Sequence, residues 1–258
     1  MGSRNPDTCA VILDRGRNQI IEVRSTVLVN QISRDAERIA KSFDNLHSQD
    51  MGAISEQFAL CYATLTSGMI NASQDHDDLR IACGELLSNA LNSMAASAYL
   101  VRGGFVLQPG AVVRSCVETL AVVLHLMQFQ SEVRNYRSDK FNSTRAIASA
   151  KRVFPPFGRL YGLLSEQFTH IGQLHKQLTP IREYEASYEP LAMNMRFIAT
   201  GVWMCYVTCE LVYVGLIAEP RYWTRVVEVS QDQVAYHYSP SAAEVAWMDN
   251  FLGLADAP

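Results

Sequence analysis

The fold of this 258-residue chain is decided by residues 83–127, CGELLSNALNSMAASAYLVRGGFVLQPGAVVRSCVETLAVVLHLM. In its first half, apolar residues recur at the three- and four-residue spacing that places side chains on one helix face. These residues are Leu87, Leu91, Met94, Ala98 and Val101. Gly103 and Gly104 predict the end of that helix, and Pro109 suits the first turn of a second one. The segment therefore predicts a hairpin of two long apolar helices.

Similar helical patterns occupy most of the remaining chain. Amphipathic helices are predicted in residues 32–46 and 54–69, and residues 191–218 are nearly apolar all round, which is typical of a central helix. Residues 8–24 fit either a β-hairpin or the start of a helix, and residues 226–238 fit a small C-terminal β-hairpin. The predicted fold class is mainly α, an up-and-down helical bundle with a small C-terminal β-hairpin.

The sequence contains no internal repeat, low-complexity tract or linker, so a single helical domain over residues 1–258 is predicted. Within it, residues 1–24 form an N-terminal segment of uncertain structure. Residues 83–217 are expected to form the core bundle, and residues 221–258 a C-terminal extension.

Composition and charge restrict the classes of partner. The chain is 48% hydrophobic, as a packed core requires, and its formal net charge is -4. A surface of that sign repels nucleic-acid phosphate, so no DNA partner is predicted and RNA is a candidate only through a local basic patch. The six cysteines lack a CxxC pair, which indicates reduced core residues of a cytoplasmic protein. The start of the chain lacks a signal-peptide layout, which agrees with a cytoplasmic location.

One segment is long enough to cross a bilayer. Residues 197–218 are apolar apart from Glu210 near their middle. A single such segment in an otherwise amphipathic protein is typical of a buried central helix, so no membrane partner is predicted. A membrane-associated protein anchored by this segment is the alternative. The same segment and the Cys83 hairpin offer more apolar surface than a lone bundle needs to bury, which predicts a homodimer.

The first candidate site residues are Arg114 and Glu118, which lie four residues apart on an otherwise apolar helix. That spacing places both side chains on one helix face. One interpretation is a buried structural ion pair, since a buried charge requires a partner. The other is a polar pocket that binds an anion or polarises a substrate.

A second group of candidates lies near residue 165. Glu166 and His170 are four residues apart, and Tyr161 and Ser165 lie on the same face. A Tyr-Ser-Glu-His cluster would suit acid–base or nucleophilic chemistry, whereas the structural alternative is a helix-end histidine bonded to carbonyls or to Tyr161. No HExxH, GxGxxG or P-loop pattern is present, so no metal and no cofactor are predicted.

The hairpin sequence, together with the later segment LYGLLSEQFTHIG at residues 160–172, resembles a group of bacterial helical proteins related to the HEPN superfamily. The shared pattern is an Arg-x-x-x-Glu helix that follows a long apolar helix, with a Ser-to-His element later, over residues 83–217. The resemblance implies an up-and-down bundle that dimerises and a kinship with abortive-infection and toxin proteins, many of which cleave RNA. The positions that match are Arg114, Glu118 and His170.

The chain departs from this family at one point. HEPN ribonucleases carry a histidine shortly after the arginine on the same helix, and none of the six histidines here has an arginine five to seven positions before it. The sequence therefore predicts a soluble helical bundle with a binding or regulatory role in bacterial defence. The alternative is a HEPN-like ribonuclease acting on RNA, in which Arg114 and His170 come from separate helices.

Overall fold

A computed structural model of the chain describes residues 7–169, 174–176, 180–186, 188–216, 220–226 and 235–251. The predicted mainly α fold is confirmed. The α-helices are α1 (Val27–Ile32), α2 (Ala36–Gln74), α3 (Asp78–Arg102), α4 (Gln108–Gln128), α5 (Val133–Arg137), α6 (Ser143–Val153), α7 (Pro155–Leu164), α8 (Glu189–Val212) and α9 (Ala242–Phe251). The strands are β1 (Thr8–Asp14), β2 (Gln19–Arg24), β3 (Trp223–Val226) and β4 (Ala235–Tyr238).

The predicted helical hairpin is formed by α3 and α4. Helix α3 ends immediately before Gly103, and Pro109 occupies the first turn of α4, as expected from the sequence. Leu91 and Met94 are 2% and 1% exposed, so the predicted buried face of α3 is correct. The hydroxyl of Ser97 donates a hydrogen bond of 3.2 Å to the carbonyl of Pro109. This bond joins the C-terminal half of α3 to the start of α4.

Helix α8 packs against α2, α3 and α4 and is the central helix of the bundle. It ends at Val212, earlier than predicted, and Val214–Leu216 form a 3-10 turn. The carboxylate of Glu210 is fully buried and accepts hydrogen bonds from the backbone N–H groups of Arg221 and Tyr222, both at 2.8 Å. The charged residue of the apolar segment therefore attaches the start of the C-terminal extension to the bundle.

Two helices, α4 and α8, are long and apolar enough to cross a membrane by length and composition alone. In the most apolar stretch of α8, 89% of the residues are buried inside the bundle, and in that of α4 56% are buried. Core helices of soluble proteins have the same length and composition, so this finding is weak support for the membrane alternative.

Helix α2 is one long element interrupted by a break. His47 has non-helical backbone angles (φ −129°, ψ 17°), so the chain changes direction there. The sequence predicts two helices in this region, over residues 32–46 and 54–69, and the break at His47 lies between them.

Both ends of the chain carry an antiparallel hairpin. Strands β1 and β2 pair with Ile12 opposite Ile21, so of the two alternatives for residues 8–24 the hairpin is the observed one. Strands β3 and β4 pair with Trp223 opposite Tyr238, which confirms the C-terminal hairpin; residues 227–234 lie outside the described residues. No side chain of the last helix, α9, is fully buried, although Met248 and Phe251 pack against the core.

The homodimer prediction rests on excess apolar surface on residues 197–218 and on the Cys83 hairpin. In the structure, that apolar surface of α8 and α3 is covered within the single chain. Every residue of α8 from Gly201 to Val212 is buried within the single chain. The apolar face of α3 is likewise covered, with nine of its residues buried. The reason given for a homodimer is therefore wrong, while the homodimer itself stays a prediction.

Candidate functional site

Arg114 and Glu118 form the predicted ion pair on α4. The Nε of Arg114 donates a hydrogen bond of 3.0 Å to Oε1 of Glu118. The side chain of Arg114 is 22% exposed and that of Glu118 is 44% exposed. The expectation of a buried structural pair is therefore wrong, because this face of α4 lies at the edge of the bundle and water reaches both groups.

Tyr161 of α7 lies directly across from this pair. A terminal nitrogen of Arg114 donates a hydrogen bond of 3.2 Å to the Tyr161 hydroxyl, and its guanidinium carbon is 5.3 Å from the centre of the Tyr161 ring. The ring itself is stacked on Phe157, with centres 5.9 Å apart and planes 10° from parallel. Because Phe157 is fully buried, the position of Tyr161 is set by the core of the bundle.

Lys151, at the end of α6, also contacts Tyr161, and the sequence analysis did not identify it. Its ammonium nitrogen is 5.5 Å from the centre of the Tyr161 ring. Helix α6 packs Ala146, Ser149 and Ala150 against the bundle, which leaves Lys151 on its exposed side. Two cations therefore face one tyrosine ring, and such contacts with an aromatic face are favourable. We call Arg114, Glu118, Lys151 and Tyr161 the Arg114 cluster.

The groups around Arg114 stabilise its positively charged form. Partial burial by itself lowers the pKa of Arg114, but the hydrogen bond to Glu118 and the contacts with Tyr161 raise it by more, and the net direction is upward. Lys151 forms no ion pair with any residue in the described part of the chain. With one carboxylate for two cations, the Arg114 cluster carries a net positive charge that solvent can reach.

The other predicted site residues are only partly brought together. Ser165 donates its hydroxyl to the carbonyl of Tyr161 at 2.7 Å, so that hydroxyl is engaged with the backbone of α7. Glu166 is exposed and has no hydrogen bond or ion pair with a described residue. His170, the remaining candidate, lies outside the described residues. The structure therefore brings Arg114, Glu118 and Tyr161 together, and a nucleophilic triad is not formed among the described residues.

The segment that follows α7 is a π-helix, Ser165–Thr169, and it is anchored on α4. Phe168 packs against Gly110, where a side chain larger than hydrogen would overlap the ring, and its ring meets that of Phe197 at 5.4 Å. Gly110 is one helical turn before Arg114. Short π-helices are frequent at functional sites, so the local geometry agrees with a site at this position.

A second polar pair that the sequence did not indicate joins His125 of α4 and Ser149 of α6. Nδ1 of His125 is 2.9 Å from the Ser149 hydroxyl, and the two residues are 7% and 3% exposed. Burial lowers the pKa of His125, so the imidazole is neutral near pH 7. Phe129 and Phe141 cover its ring at 4.8 and 5.4 Å. This pair joins two helices in the core and is closed to a substrate.

A groove of about 500 Å³ lies where α2 breaks, between α2, α8 and α9. It is lined by His47 and Asp50, whose Nδ1 and Oδ2 atoms are 2.7 Å apart, and by Arg196 and Trp247. Its volume suits a small organic molecule. No sequence pattern pointed to it, because its lining residues come from three separate parts of the chain.

Within the described residues, no group of three histidine, cysteine or acidic side chains has the arrangement of a metal site. Five of the six cysteines are buried, all as free thiols, and Cys9 is exposed. The sulfur atoms of Cys116 and Cys205 are 3.6 Å apart in the core.

Comparisons of the chain with protein-family models, curated proteins and solved structures gave no match. The resemblance to HEPN-related proteins is therefore still a prediction. What can be argued about function comes from the geometry of the chain itself.

Proposed function

We propose that this protein has a binding or regulatory role and that the Arg114 cluster binds an anionic, phosphate-bearing ligand. The observation that supports this most is the pair of cations on the Tyr161 ring, 5.3 and 5.5 Å from its centre, with Glu118 as the one carboxylate that pairs with Arg114 among the described residues. A phosphate oxygen can accept from a guanidinium and an ammonium at once, and binding would not require either cation to be newly buried.

The charge distribution along the chain supports an anionic ligand. Residues 133–165 carry seven arginine or lysine residues and one aspartate, although the whole chain has a net charge of -4. Lys151, Arg152 and Arg159 are all exposed within that segment. Arg137 pairs with Asp78 and Glu85, but the other six cations form no ion pair with a described residue, so the segment that supplies Lys151 and Tyr161 has an excess of positive charge that attracts anions. The location in the cytoplasm and the role in bacterial defence remain part of the proposal.

Thermal denaturation in the presence of a panel of anions tests this function. We expect inorganic phosphate and pyrophosphate to raise the melting temperature of the wild-type protein more than chloride at equal ionic strength. Lys151→Gln removes one of the two cations and should reduce that rise. Lys41→Gln, an exposed lysine paired with Glu37 on α2, removes the same charge elsewhere and should leave the rise unchanged. Equal effects of the two substitutions would show that the binding is not at this cluster.

RNA cleavage is the second candidate function. Arg114 lies one turn from Gly110, which contacts Phe168, and the π-helix containing Phe168 ends directly before His170 in the sequence. The position of His170 in the sequence, directly after this anchored segment, is the reason to test the HEPN-like alternative, in which Arg114 and His170 act from separate helices. Incubation of labelled single-stranded RNA with the protein tests it. Cleavage that is lost in Arg114→Ala and in His170→Ala, but kept in Arg38→Ala, would favour the ribonuclease over the binding protein.

A further inference from the structure

The first part of the chain leaves an unusual amount of apolar surface uncovered. We call residues Thr8–Ile32, which comprise β1, β2 and α1, the N-terminal module. Among the described residues twenty large hydrophobic side chains are exposed, and nine of them lie in this module, so the exposure is concentrated there. The nine are Val11, Ile12, Leu13, Ile20, Ile21, Val27, Leu28, Val29 and Ile32. Exposed apolar patches of this extent mark interaction surfaces.

The backbone of the module is also incompletely paired. Within the part of the chain that the structure describes, strands β1 and β2 form a two-stranded sheet, so each strand has one neighbour and one open edge. No residue of β1, β2 or α1 is buried, which means that neither face of the hairpin is covered by the bundle. Isolated two-stranded hairpins are only marginally stable in water. An open edge is a template for a further strand.

We propose that the N-terminal module is the interface through which two copies of this chain form a dimer. Nine side chains that are each 45–74% exposed present a surface on the order of the roughly 800 Å² that each partner contributes to a standard interface. Residues 8–32 carry three arginines and two acidic residues, so the net charge of the module is only +1 and repulsion between two copies is weak. A second hairpin can supply a strand to the open edge, and its own apolar side chains can pack against those of the first copy.

A lipid surface is a less suitable occupant of the same patch. Hydrocarbon offers no hydrogen bonds to the unpaired N–H and C=O groups of a strand edge, and each such group is costly when it leaves water. A strand from a second copy pairs with those groups. The charged turn between the strands, with Arg15 and Arg17 next to Asp14, would also have to remain in water.

The oligomeric state of the full chain tests the proposal. We expect light scattering to give twice the 28.8 kDa chain mass for the wild-type protein at tens of micromolar. The double variant Ile20→Lys with Leu28→Lys introduces two like charges on each copy at residues that are 74% and 63% exposed, so the bundle itself should stay folded. We expect it to raise the dimer dissociation constant about 100-fold or more.

Ile70→Lys, at a residue of α2 that is 55% exposed, is the matched control and should leave the dissociation constant unchanged. Circular dichroism checks that all variants keep their helical content. A wild-type protein that is monomeric at about 100 µM would overturn the proposal, as would a double variant that dimerises as tightly as the wild type. A monomer that sediments with phosphatidylserine-containing vesicles through the same residues would show a lipid occupant instead.

Discussion

Substitution of Glu210 is the sharpest test of how the C-terminal extension is held. In Glu210→Gln the side chain keeps its shape, but only one of its two terminal atoms still accepts a hydrogen bond. One of the two backbone N–H groups that now bind Oε1 and Oε2 at 2.8 Å would then face an amide NH₂. A buried donor left without an acceptor costs about 1–3 kcal/mol, so we expect the free energy of unfolding to fall by that amount. Glu210→Ala removes both acceptors and should lower it by roughly twice as much.

Urea denaturation followed by circular dichroism measures these differences, with Glu244→Gln as the control. Glu244 accepts from the Tyr222 hydroxyl at 3.1 Å in the same region, but its side chain is 22% exposed and water can replace the lost acceptor. The control should therefore change stability by less than about 1 kcal/mol. A Glu210→Gln variant as stable as the wild type, or more stable, would refute the reasoning, because the N–H group left without an acceptor would then carry no cost.

The pH dependence of the same pair of proteins checks the electrostatics of Glu210. Burial raises the pKa of this carboxyl above its ordinary value of 4.5, against the opposing effect of the two N–H groups. The folded state therefore binds the proton more tightly than the unfolded state. The contribution of Glu210 to stability is full below about pH 4.5 and is lost as the pH rises through its folded-state pKa. The stability difference between the wild type and Glu210→Gln should shrink over that interval.

Three further predictions concern the core and the Arg114 cluster. Leu91→Ala truncates a side chain that is 2% exposed and should lower the unfolding free energy by about 2–5 kcal/mol, whereas Leu60→Ala, at a residue that is 46% exposed, should change it little; thermal denaturation compares them. Gly68→Ala places a methyl group on the Tyr213 ring and should destabilise the protein in urea, while Gly52→Ala has free space and should stabilise it by about 0.5–1 kcal/mol. Arg114→Ala and Glu118→Ala should each cost no more than about 1 kcal/mol, with a coupling below 1 kcal/mol in a double-mutant cycle, because the pair is partly exposed. A loss of several kcal/mol in either variant would show that the pair has a structural role after all.

The features that depend on the spacing of residues along one helix could be predicted from the sequence. The α3–α4 hairpin follows from apolar periodicity and a glycine stop, and the Arg114–Glu118 pair follows from a separation of four residues on one helix. The exposed fraction of the two side chains could not be predicted, because it depends on how much of α4 is covered by α7. No feature of the sequence near Arg114 specifies that packing.

Features built from distant parts of the chain were missed. Lys151 lies ten residues before Tyr161, but the chain turns at Pro155 between them, so helical spacing cannot relate the two. The partners of Glu210 are backbone N–H groups. Because every residue except proline has such a group, no residue type in the sequence identifies these partners. The exposure of the N-terminal module was missed for the opposite reason, since continuous apolar runs such as residues 10–13 and 20–21 are typical of strands buried in a core.

Isothermal titration of inorganic pyrophosphate tests the central claim, anion binding at the Arg114 cluster, most directly. The site variant carries Arg114→Gln with Lys151→Gln, and the control carries Arg38→Gln with Lys41→Gln on α2, which removes the same charge from exposed positions. We expect the wild type and the control to bind with dissociation constants within about twofold of each other and the site variant to bind at least about 10-fold more weakly. No measurable binding by the wild type, or equal weakening in the two variants, would contradict the claim.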